Sequence, residues 1–462
     1  MAHFLLSLAA SSLLVKSTLS APSSAAVSSS IVASGLSSAA PAFETVALAS
    51  DDANDILWFA DTPNNPDPQA IRGSLGATVL GPANIPIDQQ NADFLAPPST
   101  DAGSIKNAKW PFSLSHNRLQ TGGWARQQNQ DVMPIAGSMA GVNMRLDAGA
   151  IRELHWHSTA EWAYGTVQVT AVTDKGQNFL GNVGPGDLWY FPPGIPHSLQ
   201  ATADLPDGAE FLLVFDDGAF SEDSTFLLTD WLSHVPKDVI AKNFQTSPSA
   251  FNHIPAQQLY IFPSVPIFVR IYIYICISRL CGAAPPADNL QAPVSPQGTV
   301  SNPFIFPLSQ VNATQFSGGT FKVVDESTFT ASTAISAAEV SVEPGAMREL
   351  HWHPTQDEWT FYLGGSARVT LFGSSGNART FDFQAGDVGF VPASFGHYVE
   401  NIGNTTLHFL EIFNSGRVQD ISLSQWLALT PPELVKAHLD LSDETIAHLS
   451  KTKPVIVGSG SQ

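Results

Sequence analysis

A ten-residue segment with metal-binding side chains occurs twice in this chain, at 148–157 and at 344–353. Both copies end in Arg-Glu-Leu-His-Trp-His, and each is followed by a glutamate and then by a separate histidine near glycines and prolines. The two sets are His155, His157, Glu161 and His197, and His351, His353, Glu358 and His397. Three imidazoles and one carboxylate suit a divalent transition ion and leave positions for water or substrate. Most isolated His-x-His pairs are incidental, but two complete sets at matching positions predict two metal sites.

An arginine stands three residues before the first histidine of each set, as Arg152 and as Arg348. A guanidinium beside a metal could bind a carboxylate through two parallel hydrogen bonds. On a strand, however, side chains alternate between the two faces, so residues three apart point in opposite directions. Each arginine is therefore either an outward-facing, solvated side chain or a substrate ligand that a bulge has re-aimed, and spacing alone leaves both readings open.

The repeat covers a whole domain rather than a motif. The copies are offset by 196 residues at the first histidines and by 200 at the last ones. Each copy contains short apolar runs separated by Gly, Pro and Asp, at 167–172, 188–191 and 211–215 and again at 367–372, 388–391 and 407–413. This pattern predicts an all-β fold of sandwich or barrel type, and 227–244 and 421–439 predict short helical tails. The expected domains are 71–250 and 301–462, joined by a linker at 251–300.

The chain of 462 residues has a net charge of −20, and only 13% of its residues are charged. Such an acidic protein is a poor partner for nucleic acid or for an anionic membrane. Residues 1–20 contain an apolar stretch too short to span a bilayer and predict a secretory signal peptide. A Ser/Ala-rich leader and linker follows at 21–70. The protein is therefore expected to be secreted, and Asn312 and Asn404 begin glycosylation sequons.

Two stretches depart from the repeat. Segment 265–282 holds both cysteines, Cys276 and Cys281, and an Ile/Tyr alternation that repeated TA dinucleotides would encode. We interpret it as a retained intron; the alternative is a real edge strand or surface helix. The first copy also lacks three residues between Glu161 and Gly165. Because an odd deletion within a strand reverses the facing of later residues, either a bulge absorbs the loss or a gene-model error removed three residues. We favour the error, and we expect a real gap to damage the first metal site.

Both motifs resemble those of the cupin family and, within it, of the two-domain oxalate decarboxylases. The matching patterns are Gly149-x5-His155-x-His157-x3-Glu161 with Gly186-x5-Pro192-x-Gly194-x2-His197, and Gly345-x5-His351-x-His353-x4-Glu358 with Gly386-x5-Pro392-x-Ser394-x2-His397. The resemblance implies two tandem jelly-roll β-barrels with short helical extensions, each binding one manganese ion. It also implies that copies of the chain can associate into a homo-oligomer.

The resemblance further implies a reaction in which oxalate and a proton become formate and carbon dioxide, with dioxygen as co-catalyst. Arg152 would hold oxalate at the first metal, and Arg348 would be its counterpart at the second. Glu222, in the stretch Ser-Glu-Asp-Ser-Thr at 221–225, would lie on a mobile lid and relay the proton. Glu411 would be the corresponding carboxylate of the second site. Taken on sequence alone, a loop glutamate such as Glu222 is more often a solvated acid.

Two other functions fit the same scaffold. An oxalate oxidase would produce hydrogen peroxide instead of formate, so a product assay separates it from a decarboxylase. A non-enzymatic storage protein with two cupin domains would share the architecture but generally lacks the metal ligands. The eight ligands present in this chain argue against storage.

Overall fold

The structure is a computed structural model that describes residues 67–202, 206–263 and 290–460. The predicted signal peptide (1–20), most of the leader (21–70) and segment 265–282 with both cysteines lie outside these ranges. Within them, no helix has the length and the apolar character that crossing a membrane requires. Asn312 and Asn404, which begin the sequons, are both exposed.

A first β-barrel follows an N-terminal arm. The arm contains β1 (Ala70–Arg72), β2 (Leu75–Ala77), α1 (Ile85–Gln90), α2 (Ala92–Leu95) and β3 (Lys109–Pro111). The barrel contains β4 (Arg118–Gln120), β5 (Gly123–Gln128), β6 (Ala140–Leu146), β7 (Ile151–Trp156), β8 (Glu161–Val172), β9 (Asn178–Phe191), β10 (His197–Gln200), β11 (Ala209–Phe215), β12 (Phe226–Leu227) and β13 (Ile261–Phe262). Its strands are antiparallel in the order β12-β7-β10-β8-β11-β6-β5-β4, with β9 on β8 and β13 on β7.

The second barrel repeats this plan. It is preceded by β14 (Ile305–Phe306) and contains β15 (Thr314–Phe316), β16 (Gly319–Val324), β17 (Ser336–Val342), β18 (Met347–Trp352), β19 (Glu358–Gly364), β20 (Ser366–Phe372), β21 (Ala378–Gln384), β22 (Asp387–Val391), β23 (His397–Asn401), β24 (Leu407–Phe413), β25 (Ile421–Ser422) and β26 (Ile456–Val457). Two sheets form it, in the orders β15-β16-β17-β24-β19-β22-β3 and β21-β20-β23-β18-β25, with β26 on β18. The predicted all-β fold with two tandem barrels is confirmed.

Short helices follow the last long strand of each barrel, as the sequence predicts. They are α3 (Leu228–Ser233) and α4 (Lys237–Asn243) after the first barrel, and α5 (Leu423–Ala428), α6 (Pro432–Leu439) and α7 (Asp443–His448) after the second. Beyond its helices the chain returns to each barrel, because β13 pairs with β7 and β26 pairs with β18. The first barrel therefore includes Tyr260, Ile261 and Phe262, which the sequence assigned to the linker.

The two barrels exchange the segments that precede them. Strand β3, from the arm before the first barrel, pairs with β22 of the second barrel. Strand β14, from the segment before the second barrel, pairs with β9 of the first. A buried cluster between the barrels includes Trp162 and Trp359, which follow the two glutamate ligands and are fully buried. Strands such as β22 are consequently buried along their whole length. This burial explains why the sequence shows continuous apolar runs, because apolar and polar residues alternate only in strands that expose one face to solvent.

The three-residue difference between the copies is absorbed within the first barrel. In the second barrel β19 and β20 are separate strands, whereas the single strand β8 spans both positions in the first. The pairing of β8 with β9 shifts between Gly165, opposite Asp187, and Val167, opposite Val183. Val167 is buried, as is Ala367 at the corresponding place in the second barrel, so the facing is preserved. A bulge is therefore sufficient to absorb the three missing residues, and the expected damage to the first ligand set does not occur. The gene-model error stays a prediction.

Gly165 should be required for the shortened strand. A Cβ added there would lie 2.3 Å from the Cβ of Phe211, whereas one added at Gly364 would meet no heavy atom within 4 Å. We expect Gly165→Ala to lower the free energy of unfolding by about 1–3 kcal/mol, because overpacking forces the neighbouring strand to move. Urea unfolding would measure this, with Gly364→Ala as the matched control without loss. An unchanged midpoint for Gly165→Ala would contradict this packing.

Candidate metal centres

The first set of ligands comes together at one end of the first barrel. His155 lies on β7, His157 directly follows that strand, Glu161 begins β8, and His197 begins β10. Strand pairing sets His197 opposite His155. One ligand atom from each of these four buried residues lies within 4.8 Å of the others. The predicted set is therefore assembled as the sequence indicated.

Main-chain carbonyl groups fix the orientation of all three rings. Nδ1 of His155 lies 2.5 Å from the carbonyl oxygen of Glu153, and Nδ1 of His157 lies 2.8 Å from that of Thr159. Nδ1 of His197 lies 2.8 Å from the carbonyl oxygen of Ile195. A carbonyl oxygen can only accept, so each Nδ1 carries the hydrogen and each Nε2 presents a lone pair to the centre. This is the tautomer that a metal ion requires.

The electrostatics of the centre favour a cation among these groups. Burial lowers the pKa of His155 well below its usual value, and the charge of Arg152 lowers it further; burial also lowers the pKa of His197. Burial would raise the pKa of Glu161, but the rings of His197 and His157 hold it well below its usual range. Nε2 of His157 lies 3.1 Å from Oε2 of Glu161, and Nε2 of His197 lies 3.4 Å from the same atom. A carboxylate this close to two ring lone pairs is stable only with a positive charge between them.

The second set repeats this arrangement in the second barrel, where Nε2 of His353 and of His397 lie 2.9 Å and 3.2 Å from Oε2 of Glu358. The ring Nδ1 atoms of His351, His353 and His397 face the carbonyl oxygens of Glu349, Gln419 and Phe395 at 2.6, 2.8 and 3.0 Å. All four ligands are buried.

The centres differ in what holds the second oxygen of each glutamate. The indole Nε1 of Trp189 donates to Oε1 of Glu161 at 2.9 Å. In the second barrel the Thr360 hydroxyl donates to Oε1 of Glu358 at 2.8 Å instead. A bond to the outer oxygen orients a metal ligand, so each barrel supplies this support from a different strand.

A bulge brings Arg152 to the ligand side of the first barrel. Strand pairing sets Leu199 opposite Arg152 and His197 opposite His155, so the register shifts by one residue between these pairs. The same shift occurs between Arg348 and His351. Both arginines are buried, with 1% and 0% exposed surface. Of the two readings that spacing left open, the structure therefore excludes the outward-facing, solvated one.

Arg152 keeps part of its hydrogen-bonding capacity free. Its Nη2 lies 3.4 Å from Oε2 of Glu222, and its Nη1 lies 3.4 Å from the carbonyl oxygen of Tyr260. Its buried Nε has no hydrogen-bond partner among the residues that the structure describes. A buried guanidinium with an unpaired donor is costly without a ligand, so this group is suited to binding an anion.

Glu222 lies on a short 3₁₀ turn, Glu222–Ser224, between β11 and β12. Its side chain is buried and points inward to Arg152, and the Tyr260 hydroxyl donates a hydrogen bond to it. Burial and the nearby Glu222 carboxylate raise the pKa of Tyr260 well above its usual value, so the phenol keeps its proton. Glu222 is thus a buried acid over the first centre rather than the solvated loop acid that its sequence context favoured.

Arg348 has different neighbours at the second centre. Its Nε donates to Glu411 at 3.2 Å, its Nη2 to Asp420 at 2.6 Å, and its Nη1 to the carbonyl oxygen of Val455 at 3.4 Å. All three nitrogens of this guanidinium are therefore engaged.

The sequence made Glu411 the counterpart of Glu222, but strand register separates them. Glu411 lies within β24, two residues before Phe413, which pairs with Glu358. In the first barrel Phe215 pairs with Glu161, so Leu213 occupies the position of Glu411. The loop before β25 spans 414–420 and is three residues shorter than 216–225. Of these two described loops, only 216–225 contains a 3₁₀ turn, Glu222–Ser224.

Sequence reasoning missed four residues of these sites: Tyr260, Trp189, Thr360 and Asp420. Tyr260 and Val455 occupy matching places, since their carbonyl oxygens accept from the main-chain N–H of Glu153 and Glu349 respectively. Extending the repeat offset of 195 from Trp231 and Trp426 would have found that correspondence. Trp189 reaches Glu161 through the pairing of the consecutive strands β8 and β9, and the shifted register of that pair leaves no comparable signal in one sequence.

The cupin family matches residues 115–251 and 307–447, one match for each barrel. Oxalate decarboxylase of Bacillus subtilis (strain 168) is 50% identical over 396 residues, which cover 85% of this chain and 97% of that protein. A probable oxalate decarboxylase of Arthroderma benhamiae is 41% identical over 390 residues, covering 83% and 91% respectively.

Solved structures give the same result. Oxalate decarboxylase from Bacillus subtilis at pH 4.6 superimposes with a TM-score of 0.78 at 49% identity, covering 85% of this chain and 98% of that one. Another structure of that enzyme, studied for its Mn(II) centres, has the same score and covers 86% and 100%. The chain therefore belongs to the cupin family, as a two-domain enzyme of its oxalate decarboxylase branch.

Proposed function

We propose that this enzyme converts oxalate and one proton into formate and carbon dioxide at the first centre, with manganese bound in both barrels. The observation that carries the proposal is the buried Arg152, with its unpaired Nε, beside the first ligand set and beneath Glu222. The relatives named above are oxalate decarboxylases that align over nearly their whole length, which supports the same substrate here.

The donor sets fit manganese. Three imidazole nitrogens and one carboxylate oxygen are a mixed set that leaves positions open on a six-coordinate ion, whereas zinc favours four ligands. His155, His157, Glu161 and His197 would hold the first ion, and His351, His353, Glu358 and His397 the second. With dioxygen as co-catalyst, the bound metal would supply transient one-electron withdrawal, which weakens the C–C bond of oxalate.

Arg152 would bind and polarise the substrate. Oxalate is a small dianion, and the chain carries a net charge of −20, so local positive charge must draw it in. A guanidinium binds a carboxylate through two parallel bonds, which sets the direction as well as the position of the substrate. In the described structure the nearest carboxylate is that of Glu222, at 3.4 Å from Nη2. We infer that oxalate takes over this contact and leaves Glu222 next to the reacting carbon.

Glu222 would decide which product forms. Once the first carbon dioxide leaves, the remaining formate radical anion can accept a proton and an electron, so that C₂O₄²⁻ + H⁺ gives HCO₂⁻ + CO₂. Without an adjacent acid it loses an electron instead, and C₂O₄²⁻ + O₂ + 2 H⁺ gives 2 CO₂ + H₂O₂. A positioned general acid contributes about 10²–10⁴-fold to a proton transfer. A closed lid would also exclude water from the radical.

The second centre is a poor substrate site. Each nitrogen of the Arg348 guanidinium already has a hydrogen-bond partner: Glu411, Asp420 or a main-chain carbonyl. Although burial favours the neutral acid, Arg348 and Lys453 hold the pKa of Asp420 at about 2, so Asp420 is a permanent anion. Oxalate would have to displace this ion pair and then approach a negative charge. We infer that the second metal does not bind substrate.

The alternatives differ in measurable products. An oxidase would yield hydrogen peroxide in place of formate, and the buried Glu222 above Arg152 favours formate. A storage role would not require six oriented imidazoles around two buried carboxylates. Secretion and glycosylation at Asn312 and Asn404 remain part of the proposal, and so does a homo-oligomer, which the exposed Trp231 and Trp426 on the helical extensions would favour.

Replacing Arg152 by lysine should strongly reduce turnover of oxalate. An ammonium cannot form two parallel bonds, and hydrogen bonds to charged groups contribute about 1.5–3 kcal/mol, so we expect kcat/KM to fall about 10- to 100-fold. Steady-state formate production would measure this. Arg417→Lys is the control, because Arg417 forms an exposed ion pair with Glu326 in the second barrel. A rate for Arg152→Lys within a few-fold of the control would remove Arg152 from substrate binding.

Replacing Glu222 should abolish formate without loss of metal. We expect Glu222→Ala to lower formate production about 10²–10⁴-fold, with the residual turnover shifted to hydrogen peroxide. Glu222→Gln retains the shape and an acceptor oxygen but has no acidic proton, so it should lose formate as well. Formate, peroxide and bound manganese would be assayed together. Normal formate from Glu222→Gln would show that position rather than acidity is what matters.

A further inference from the structure

The lid turn is held by contacts on both of its sides. On the inner side, the Glu222 carboxylate meets Arg152 and Tyr260. On the outer side, the main-chain N–H of Glu222 donates to Oε1 of Gln127 at 2.9 Å, and Asp223 forms an ion pair with Arg118 at 3.2 Å. The inner contacts belong to the reacting groups and change when oxalate binds. The outer contacts can persist through the reaction.

We propose that Gln127 and Arg118, through their contacts with Glu222 and Asp223, hold the lid closed and thereby set the ratio of formate to hydrogen peroxide. Both are positioning residues that act through the lid, and the proposal rests on the function proposed above.

Gln127 is well placed to act as a fixed support. It lies at the end of β5, and its main-chain carbonyl accepts from the Ser115 hydroxyl at 2.7 Å. The next residue, Gln128, is fully buried and accepts from the indole Nε1 of Trp359 at 2.6 Å, in the cluster between the barrels. Since the two side chains project to opposite sides of the strand, β5 is anchored on one side while Gln127 reaches the lid on the other.

Arg118 connects the lid to Tyr260. Its guanidinium lies 3.7 Å from the centroid of the Tyr260 ring, the residue whose hydroxyl binds Glu222. The same guanidinium pairs with Asp223, one residue further along the turn. The Asp223 side chain is 86% exposed, so water and salt screen this ion pair and its effect should be smaller than that of Gln127.

The lid has space into which it can open. A cavity of about 480 Å³ lies on its outer side, and Arg118, Gln127, Glu222 and Asp223 are among its lining residues. Phe220, two residues before the turn, is anchored, because Asn129 donates to its carbonyl oxygen at 3.1 Å. Losing an outer contact would therefore let the short turn swing into this cavity and withdraw the Glu222 proton. The radical would then lose an electron to dioxygen more often, and peroxide would replace formate.

The test measures formate and hydrogen peroxide together in metal-loaded enzyme. We expect Gln127→Ala to raise the peroxide-to-formate ratio about 2- to 10-fold, the range for loss of one hydrogen bond. Gln127→Glu keeps an acceptor oxygen and should stay near wild type. Asp223→Asn should raise the ratio about 1.5- to 5-fold, and Arg118→Ala at least as much, because it also loses the contact with the Tyr260 ring. The double variant should match Arg118→Ala, because the ion pair is lost in all three. Bound manganese and KM for oxalate should stay within about 2-fold.

The dependence of the peroxide-to-formate ratio on salt distinguishes this role from a general loss of stability. Raising ionic strength from about 0.1 M to about 1 M shortens the Debye length from about 10 Å to about 3 Å. The ratio should therefore rise with salt in the wild type but not in Asp223→Asn. Arg417→Gln removes an ion pair of equal length, 3.2 Å, far along the chain in the second barrel, and should leave the ratio unchanged.

The outcomes separate the two proposals. If the wild type produces neither formate nor peroxide from oxalate, the proposed function fails. If it produces formate but Gln127→Ala and Asp223→Asn keep its product ratio, only the role of the outer contacts fails. Should Gln127→Ala not fold, the exposed Asp223→Asn and the salt dependence still decide the matter.

Discussion

In each barrel, hydrogen bonds from histidine Nδ1 to main-chain carbonyl oxygens determine what the protein can bind. These bonds leave three Nε2 lone pairs pointing at one buried carboxylate. Neutral rings and an ionised glutamate cannot remain so close in a buried site without a positive charge between them. The barrel strands, their short turns and the buried tryptophans behind them all serve to hold that arrangement. A metal ion therefore completes the fold and is also its chemical centre.

The two centres share ligands but differ in the arginine beside them. Arg152 and Arg348 are re-aimed by the same kind of bulge. Every nitrogen of Arg348 has a hydrogen-bond partner, whereas Nε of Arg152 has none among the described residues. The first centre also has a loop, 216–225, that is three residues longer than its counterpart at 414–420 and contains the turn Glu222–Ser224. The two ligand sets produced by the duplication therefore have different surroundings. Small changes in loop length and neighbouring charge are sufficient to account for the difference.

Much of this could be predicted from one sequence because the signals are local or repeated. His-x-His spacing, the later histidines and the strand pattern required only periodicity and the comparison of one half with the other. The direction in which the Arg152 side chain points could not be predicted in this way, because the alternation of residues along a strand gives no sign of a bulge. Glu411 and Glu222 do not occupy equal positions, because Glu411 lies within β24 and Glu222 in a loop, so the corresponding role of Glu411 stays a prediction. Trp189 depends on the shifted register between β8 and β9, and Gln127 contacts Glu222 from far away in the sequence; spacing along the chain encodes neither.

Anomalous diffraction at the manganese edge, from crystals of the full chain soaked with oxalate, would test the central claim most directly. The account predicts two peaks, each within direct bonding distance of the three converging Nε2 atoms and the glutamate of one barrel. It also predicts oxalate density at the first peak alone, in contact with Arg152. Absence of metal from the crystals, or oxalate bound beside Arg348 instead, would contradict it.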